Sequence, residues 1–253
     1  MKVVFFGSGD FITPVTETLK KNFELVQIVT PQIELSEKAD VGIVASYGKI
    51  LQKEIIDSFP HGILNIHPSL LPKYRGPTPV QTAILNGDKI TGVTIIKIDE
   101  EVDHGPILAQ KEIEIKENET SESLLKKTFA AGAKMLPKVL SNYIKGEIKL
   151  SSQNDSKATF TQHLTKEDGY IDLQKVSNSL EIENWKLKIA RMVRAYYPWP
   201  GVWFKTKLGE QNRIVKLLPE KKIQVEGKKP MTYKDFINGY KEAEGILSKL
   251  GVS

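Results

Sequence analysis

The chain has 253 residues, enough for one large domain or a large and a small one. It has no cysteine, which excludes disulfides, thiol nucleophiles and cysteine-held metals and suits a reducing compartment. A net charge of +5 permits binding to a polyanion, although a lysine-rich solvated surface gives the same balance, and no apolar run is long enough to span a membrane.

In chain order, VVFF (residues 3–6) reads as a buried strand rather than a leader. The spacing in 13–22 predicts a helix with Thr13 as N-cap and Pro14 at the first helical position. Strands are expected at 25–30, 40–46 and 62–67, with a helix near 52–58 between the last two. Residues 79–86 look helical, and 92–98 and 107–115 alternate like strands. A long amphipathic helix is expected over 121–145, opened by the capping residues and early acid of TSES. Short strands alternating with helices predict an α/β fold with a doubly wound, mostly parallel sheet.

Past about Leu150 the pattern changes. SSQNDSKATF is polar and loop-like, and a helix is expected over 179–194. AYYPWPGVWF then sets Pro198, Pro200 and Gly201 among aromatics, which reads as a rigid joint. Short strands and a final helix from about Thr232 complete a small β-rich C-terminal domain. The expected division is 1–178, 179–203 as helix and linker, and 204–253.

Few residues carry obvious chemistry. Asn65 and His67 stand at i and i+2 on a strand, so both side chains leave the same face. An imidazole exchanges protons near neutral pH, and an amide can donate to a developing oxyanion. Together they suit acyl-type transfer to an amine; a polar strand end capping a loop fits the spacing equally well. A carboxylate is needed to hold His67, and IIKIDEEVDHGPI offers Asp99, Glu100, Glu101 and Asp103, among which spacing does not choose. FFGSGDF could hold an anion at a helix N-terminus, but Ile12 stands where a dinucleotide fingerprint needs its third glycine. Phosphate-loop, zinc-protease and serine-elbow motifs are missing, and the four histidines make no zinc spacing, so no metal is expected.

The stretch from LNIHPSLLPKYRG to DEEVDHGPIL resembles the 10-formyltetrahydrofolate-dependent formyltransferase family. The later segments ATFTQHLTKEDGYIDL, RAYYPWPGVWF and GKKPMTYKDFINGY are similar to its methionyl-tRNA branch. The resemblance implies Asn65, His67 and Asp103 as the catalytic set, choosing Asp103 over Asp99. It implies a folate site at Ser46, Tyr47, Gly48, Ile50, Leu51, Ser69, Leu70, Leu71, Pro72, Val102 and His104. The acceptor side would be Gly7, Ser8, Gly9, Phe11, Lys73, Tyr74 and Arg75, with Ser69 at its border. The implied donor is 10-formyltetrahydrofolate and the implied partner initiator methionyl-tRNA; a sugar amine is the alternative acceptor. A cytoplasmic monomer away from membranes is the matching expectation. Three departures from that family stand out: the basic loop expected after the second strand is missing, the C-terminal β-rich domain is reduced, and His104 replaces a small residue.

Overall fold

A computed structural model describes residues 1–177 and 182–250. Grouped by internal contacts, the chain forms two units. One holds 1–80, 89–115 and 123–162; the other holds 81–88, 116–122 and 163–253. The expected boundary at 178 and 179 and the start of the 179–194 helix lie outside the described residues.

The first unit is built on β1 (Lys2–Phe6), β2 (Glu24–Val29), β3 (Val41–Val44), β4 (Ile63–His67), β5 (Ile90–Lys97) and β6 (Ile107–Glu114), ordered β2-β1-β3-β4-β5-β6. β2, β1, β3 and β4 run parallel, and β5 and β6 close the sheet as an antiparallel pair. Its helices are α1 (Thr13–Asn22), α2 (Lys53–Asp57) and most of α4 (Ser121–Ile144), while α3 (Pro79–Asn86) falls mostly in the second unit.

Both faces of the sheet's centre are covered, so β1, β3, β4 and β5 are largely buried apolar runs, whereas the edge strand β6 is mostly polar and exposed. On one face Val4, Phe6, Val29, Val44, Phe59 and Ile63 form a buried cluster, with Ile55 and Ile56 of α2 against it. On the other, Ile66 packs against α4 at Gly132 and Phe11 stacks on Phe129. Phe5 and Phe6 point to opposite faces and are both fully buried, each worth about 1.5–3 kcal/mol.

The link from β2 to β3 has to cross β1, the usual task of a helix. Here 30–40 crosses without one. Leu35 and Ala39 pack against the same apolar cluster. The Gln27 side chain ties the link to β2: its amide donates to Glu34 O at 2.9 Å and its oxygen accepts from Ser36 and Glu37 N–H.

At α1 the sequence reading needs correcting. Ile12 is the N-cap and supplies no side-chain bond, because Thr13 already lies inside the helix. The Thr13 hydroxyl instead donates back to Asp10 O at 2.8 Å. Likewise the Ser121 hydroxyl that opens α4 donates to Tyr197 O at 2.6 Å.

The second unit carries an antiparallel sheet ordered β10-β9-β8-β7, from β7 (Val202–Leu208), β8 (Gln211–Leu218), β9 (Lys222–Val225) and β10 (Met231–Thr232). Its helices are α5 (Leu173–Ser177), α6 (Ile182–Ala195), α7 (Tyr233–Gly239) and α8 (Glu244–Leu250). Thr232 caps α7, accepting from Asp235 N–H at 3.1 Å. The small antiparallel sheet expected from the sequence is therefore present, with α5 and β10 too short to read as patterns.

Candidate active site

Parity along β4 fixes which way its polar residues face. Ile63 belongs to the apolar cluster beneath α2, so Asn65 and His67 leave that same face. The loop from 98 to 106, between β5 and β6, folds back over the face. Gly105 makes this possible, since a Cβ there would overlap the Lys97 carbonyl oxygen. Asp103 adopts a left-handed backbone with φ of 51° that turns its carboxylate onto Asn65.

Asn65 Nδ2 donates to Asp103 Oδ1 at 3.0 Å, and Gly76 N–H donates to Oδ2 at 2.8 Å. His67 Nδ1 lies 3.4 Å from Asp103 Oδ1. His67 Nε2 is 3.0 Å from the Tyr74 carbonyl. A carbonyl only accepts, so Nε2 carries a hydrogen and Nδ1 is the nitrogen turned toward Asp103 and Asn65. His67 is 4% exposed, which locks its ring. An amide nitrogen has two hydrogens; Asn65 gives one to Asp103, leaving the other for a ligand oxygen. The cluster thus presents a donor and a proton-exchanging nitrogen side by side.

Asn65 and Asp103 also line a cleft of about 140 Å³ whose other walls include Val44, Ile50, Leu51 and Val102. That is well below the roughly 300–1,000 Å³ of a site that encloses a drug-sized ligand, so it suits one end of a longer molecule. At its rim Ile50 is 82% and Val102 54% exposed. Ser46, Tyr47 and Gly48 form the turn between β3 and these wall residues.

The other residues expected at the folate site lie elsewhere. Ser69 is fully buried and its hydroxyl donates to Lys73 O at 2.7 Å. Leu71 is buried, its N–H donating to Thr94 Oγ1 at 3.2 Å while Gln110 donates to its carbonyl at 2.7 Å. Leu70 packs over Gly92, and Pro72 O accepts from Thr159 N–H at 3.3 Å. Ser69 to Pro72 therefore build the loop behind His67 rather than the walls of the cleft.

His104 stands on the 98–106 loop with Nδ1 2.6 Å from Asp99 Oδ2 and Nε2 3.6 Å from Asp155 Oδ2. Its pKa is raised, chiefly by the hydrogen bond to Asp99. Asp155 is held below the usual carboxylate range, chiefly by its hydrogen bond to Arg75.

The residues expected on the acceptor side are scattered. Lys73 is exposed, whereas Tyr74 and Arg75 are buried. The Arg75 guanidinium binds Gln153 Oε1 at 2.9 and 3.1 Å and Asp155 Oδ1 at 2.7 Å, so it faces the protein. Gly7 N–H and Ser8 N–H donate to Val29 O and Ser46 O, so these two amides of the glycine turn are spent on the sheet. A Cβ at Gly7 would meet Ala45 O and the Phe5 ring. Gly9 is exposed and Phe11 is stacked on Phe129.

Sequence reasoning missed Gln153, Asp155, Thr94 and Gln110. No motif or spacing singles them out. Among the described residues no group of three or more His, Cys, Asp or Glu is placed to hold a metal, and no helix is long and apolar enough to cross a membrane.

The family model described as Formyl transferase matches residues 32–140. The methionyl-tRNA formyltransferase of Chloroflexus aggregans is 48% identical over 167 residues, 65% of this chain and 50% of that protein. The methionyl-tRNA formyltransferase of Thermodesulfovibrio yellowstonii is 39% identical over 235 residues, 83% of this chain and 73% of that protein. The chain spans about half the length of several curated relatives it matches. Among solved structures, a 4-N formyltransferase from Francisella tularensis superposes with a TM-score of 0.68 at 20% identity, covering 87% of this chain and 98% of that one. The methionyl-tRNA formyltransferase from Clostridium thermocellum does so at 0.63 and 19%, covering 89% and 97%. At these identities the structural likeness concerns the fold. The sequence relationship carries more, and by it this chain belongs to the formyl transferase family.

Proposed function

We propose that the chain moves a formyl group from 10-formyltetrahydrofolate to the α-amino group of methionyl-initiator tRNA. The observation that carries this reading is the convergence of Asn65, His67 and Asp103, with Asn65 and Asp103 lining a cleft that has an apolar rim and His67 3.4 Å behind Asp103. The folate's ring end enters beside Ile50, Leu51 and Val102, covering apolar surface that is now exposed.

The amine forms a bond to the formyl carbon, and the bond from that carbon to N10 then breaks. The amine loses a proton and N10 gains one, so the sum is neutral. The unspent Asn65 N–H stabilises the oxyanion of the tetrahedral intermediate. His67 exchanges the proton at Nδ1, because Nε2 is tied to Tyr74 O. Asp103 orients the Asn65 amide through a bond of 3.0 Å and faces the imidazole at a longer 3.4 Å. Exposed Lys73 borders the acceptor.

A sugar amine is the second reading, favoured by the link at 30–40. It holds Glu34, Glu37 and Lys38, not a basic run that would grip phosphates. Incubation with 10-formyltetrahydrofolate and either charged initiator tRNA or an amino-sugar nucleotide tests the choice. Formyl-methionyl-tRNA is the expected product. Formylation of the sugar alone replaces the first reading with the second.

A further inference from the structure

We infer that Gln153 is a positioning residue that sets the orientation of the Asn65 amide by clamping the backbone on both sides of His104. Its side chain uses its full hydrogen-bonding capacity at one place. Gln153 Nε2 donates to Asp103 O and to Gly105 O, both at 2.8 Å. Gln153 Oε1 accepts from Arg75 Nε at 3.1 Å and from its terminal nitrogen at 2.9 Å. Only one orientation of the amide satisfies both sides, because carbonyls need a donor and a guanidinium needs an acceptor.

Arg75 is itself fixed. Its guanidinium is 3% exposed and paired with Asp155, and its backbone pairs with Thr159 and Thr161 at 2.8 Å each. The clamp therefore runs from a rigid anchor to a loop that needs one. Asp103 has a φ of 51°, a conformation that a non-glycine residue holds only when its surroundings impose it. With the Asp103 carbonyl pinned, its carboxylate points at Asn65 Nδ2 and Gly76 N–H. Gln153 is thus one bond removed from the group that aims the oxyanion donor, while touching no reacting atom.

The inference rests on the proposed transfer reaction for its kinetic consequence but not for its structural one, and the test separates them. Gln153→Glu keeps the shape and sets a carboxylate against two carbonyls. Arg75→Lys keeps the charge and loses the two-pronged grip on Gln153. The Asn65 side-chain amide signals in ¹⁵N NMR, assigned by their loss in Asn65→Ser, move in both variants. In Gln153→Glu kcat falls roughly tenfold to a hundredfold with the KM for 10-formyltetrahydrofolate within about twofold, the pattern of a misaimed group. Should Gln153→Glu not fold, Arg75→Lys gives the same readings with a smaller loss. Unmoved Asn65 signals in a folded variant overturn the inference, whatever happens to its melting temperature. So does a KM that rises while kcat holds. If the wild-type chain formylates neither acceptor yet the Asn65 signals still move, the proposed reaction fails and the clamp stands.

Discussion

Two carboxylates that line the cleft, Asp99 toward its rim and Asp103 at its floor, each face an imidazole lying outside the lining, and the two pairs differ in an instructive way. At the rim His104 and Asp99 meet at 2.6 Å, with about a third of each side chain exposed. At the floor His67 and Asp103 stand 3.4 Å apart, with 4% and 13% exposed. Distance alone would pick the rim pair as the reactive one. The partners argue otherwise. Both nitrogens of His104 face carboxylates, which raises its pKa, chiefly through the hydrogen bond to Asp99, and closes the loop like a clasp. At the floor Asp103 spends its oxygens on Asn65 and Gly76, orienting an amide rather than neutralising a charge. A short ion pair fastens the loop, and a longer, buried contact aims the donor.

Variants break this comparison in order of size. Asn65→Ala removes the oxyanion donor and should lower kcat about a hundredfold to a thousandfold, with the circular dichroism spectrum unchanged. Steady-state kinetics of formyl transfer would measure it, and a loss below tenfold would move the donor elsewhere. Next comes the apolar rim. Ile50→Ser should raise the KM for 10-formyltetrahydrofolate about threefold to tenfold with kcat retained, because Ile50 is 82% exposed and the proposed folate would cover it. An unchanged KM would place the folate away from this wall.

The smallest effect belongs to the clasp. The folded pKa of His104 lies above the ordinary histidine value of 6.5. Its stabilising contribution is therefore complete below pH 6.5 and disappears as pH rises through the raised value. His104→Gln should lower the melting temperature at pH 5.5 by at most about 2 °C and leave it unchanged at pH 9, since exposed pairs contribute little. A deficit that grew with pH would contradict the assignment.

Much of the frame was legible in the residues. The buried strands of the first unit are short apolar runs, and VVFF, GILNIH and GVTIIKI mark them because both faces are covered. The shared face of Asn65 and His67 follows from their spacing on β4. The choice between Asp99 and Asp103 was beyond spacing. It depends on the backbone turn at Asp103 and on Gly105 lying against Lys97 O. Tyr74 and Arg75 were expected on the acceptor side beside Lys73, yet a segment some 80 positions later pairs with them and buries them. Gln153 and Asp155 were invisible for the same reason: their partners are distant in sequence, and a polar stretch such as SSQNDSKATF carries no periodicity to reveal them.

The most direct measurement is single-turnover formyl transfer by His67→Ala beside equilibrium binding of 5-formyltetrahydrofolate to the same variant. Loss of general acid–base exchange at Nδ1 should slow transfer by about a hundredfold or more, with folate affinity within about threefold of wild type. Transfer at a rate near wild type would contradict the claim that the floor of this cleft is where the formyl group moves.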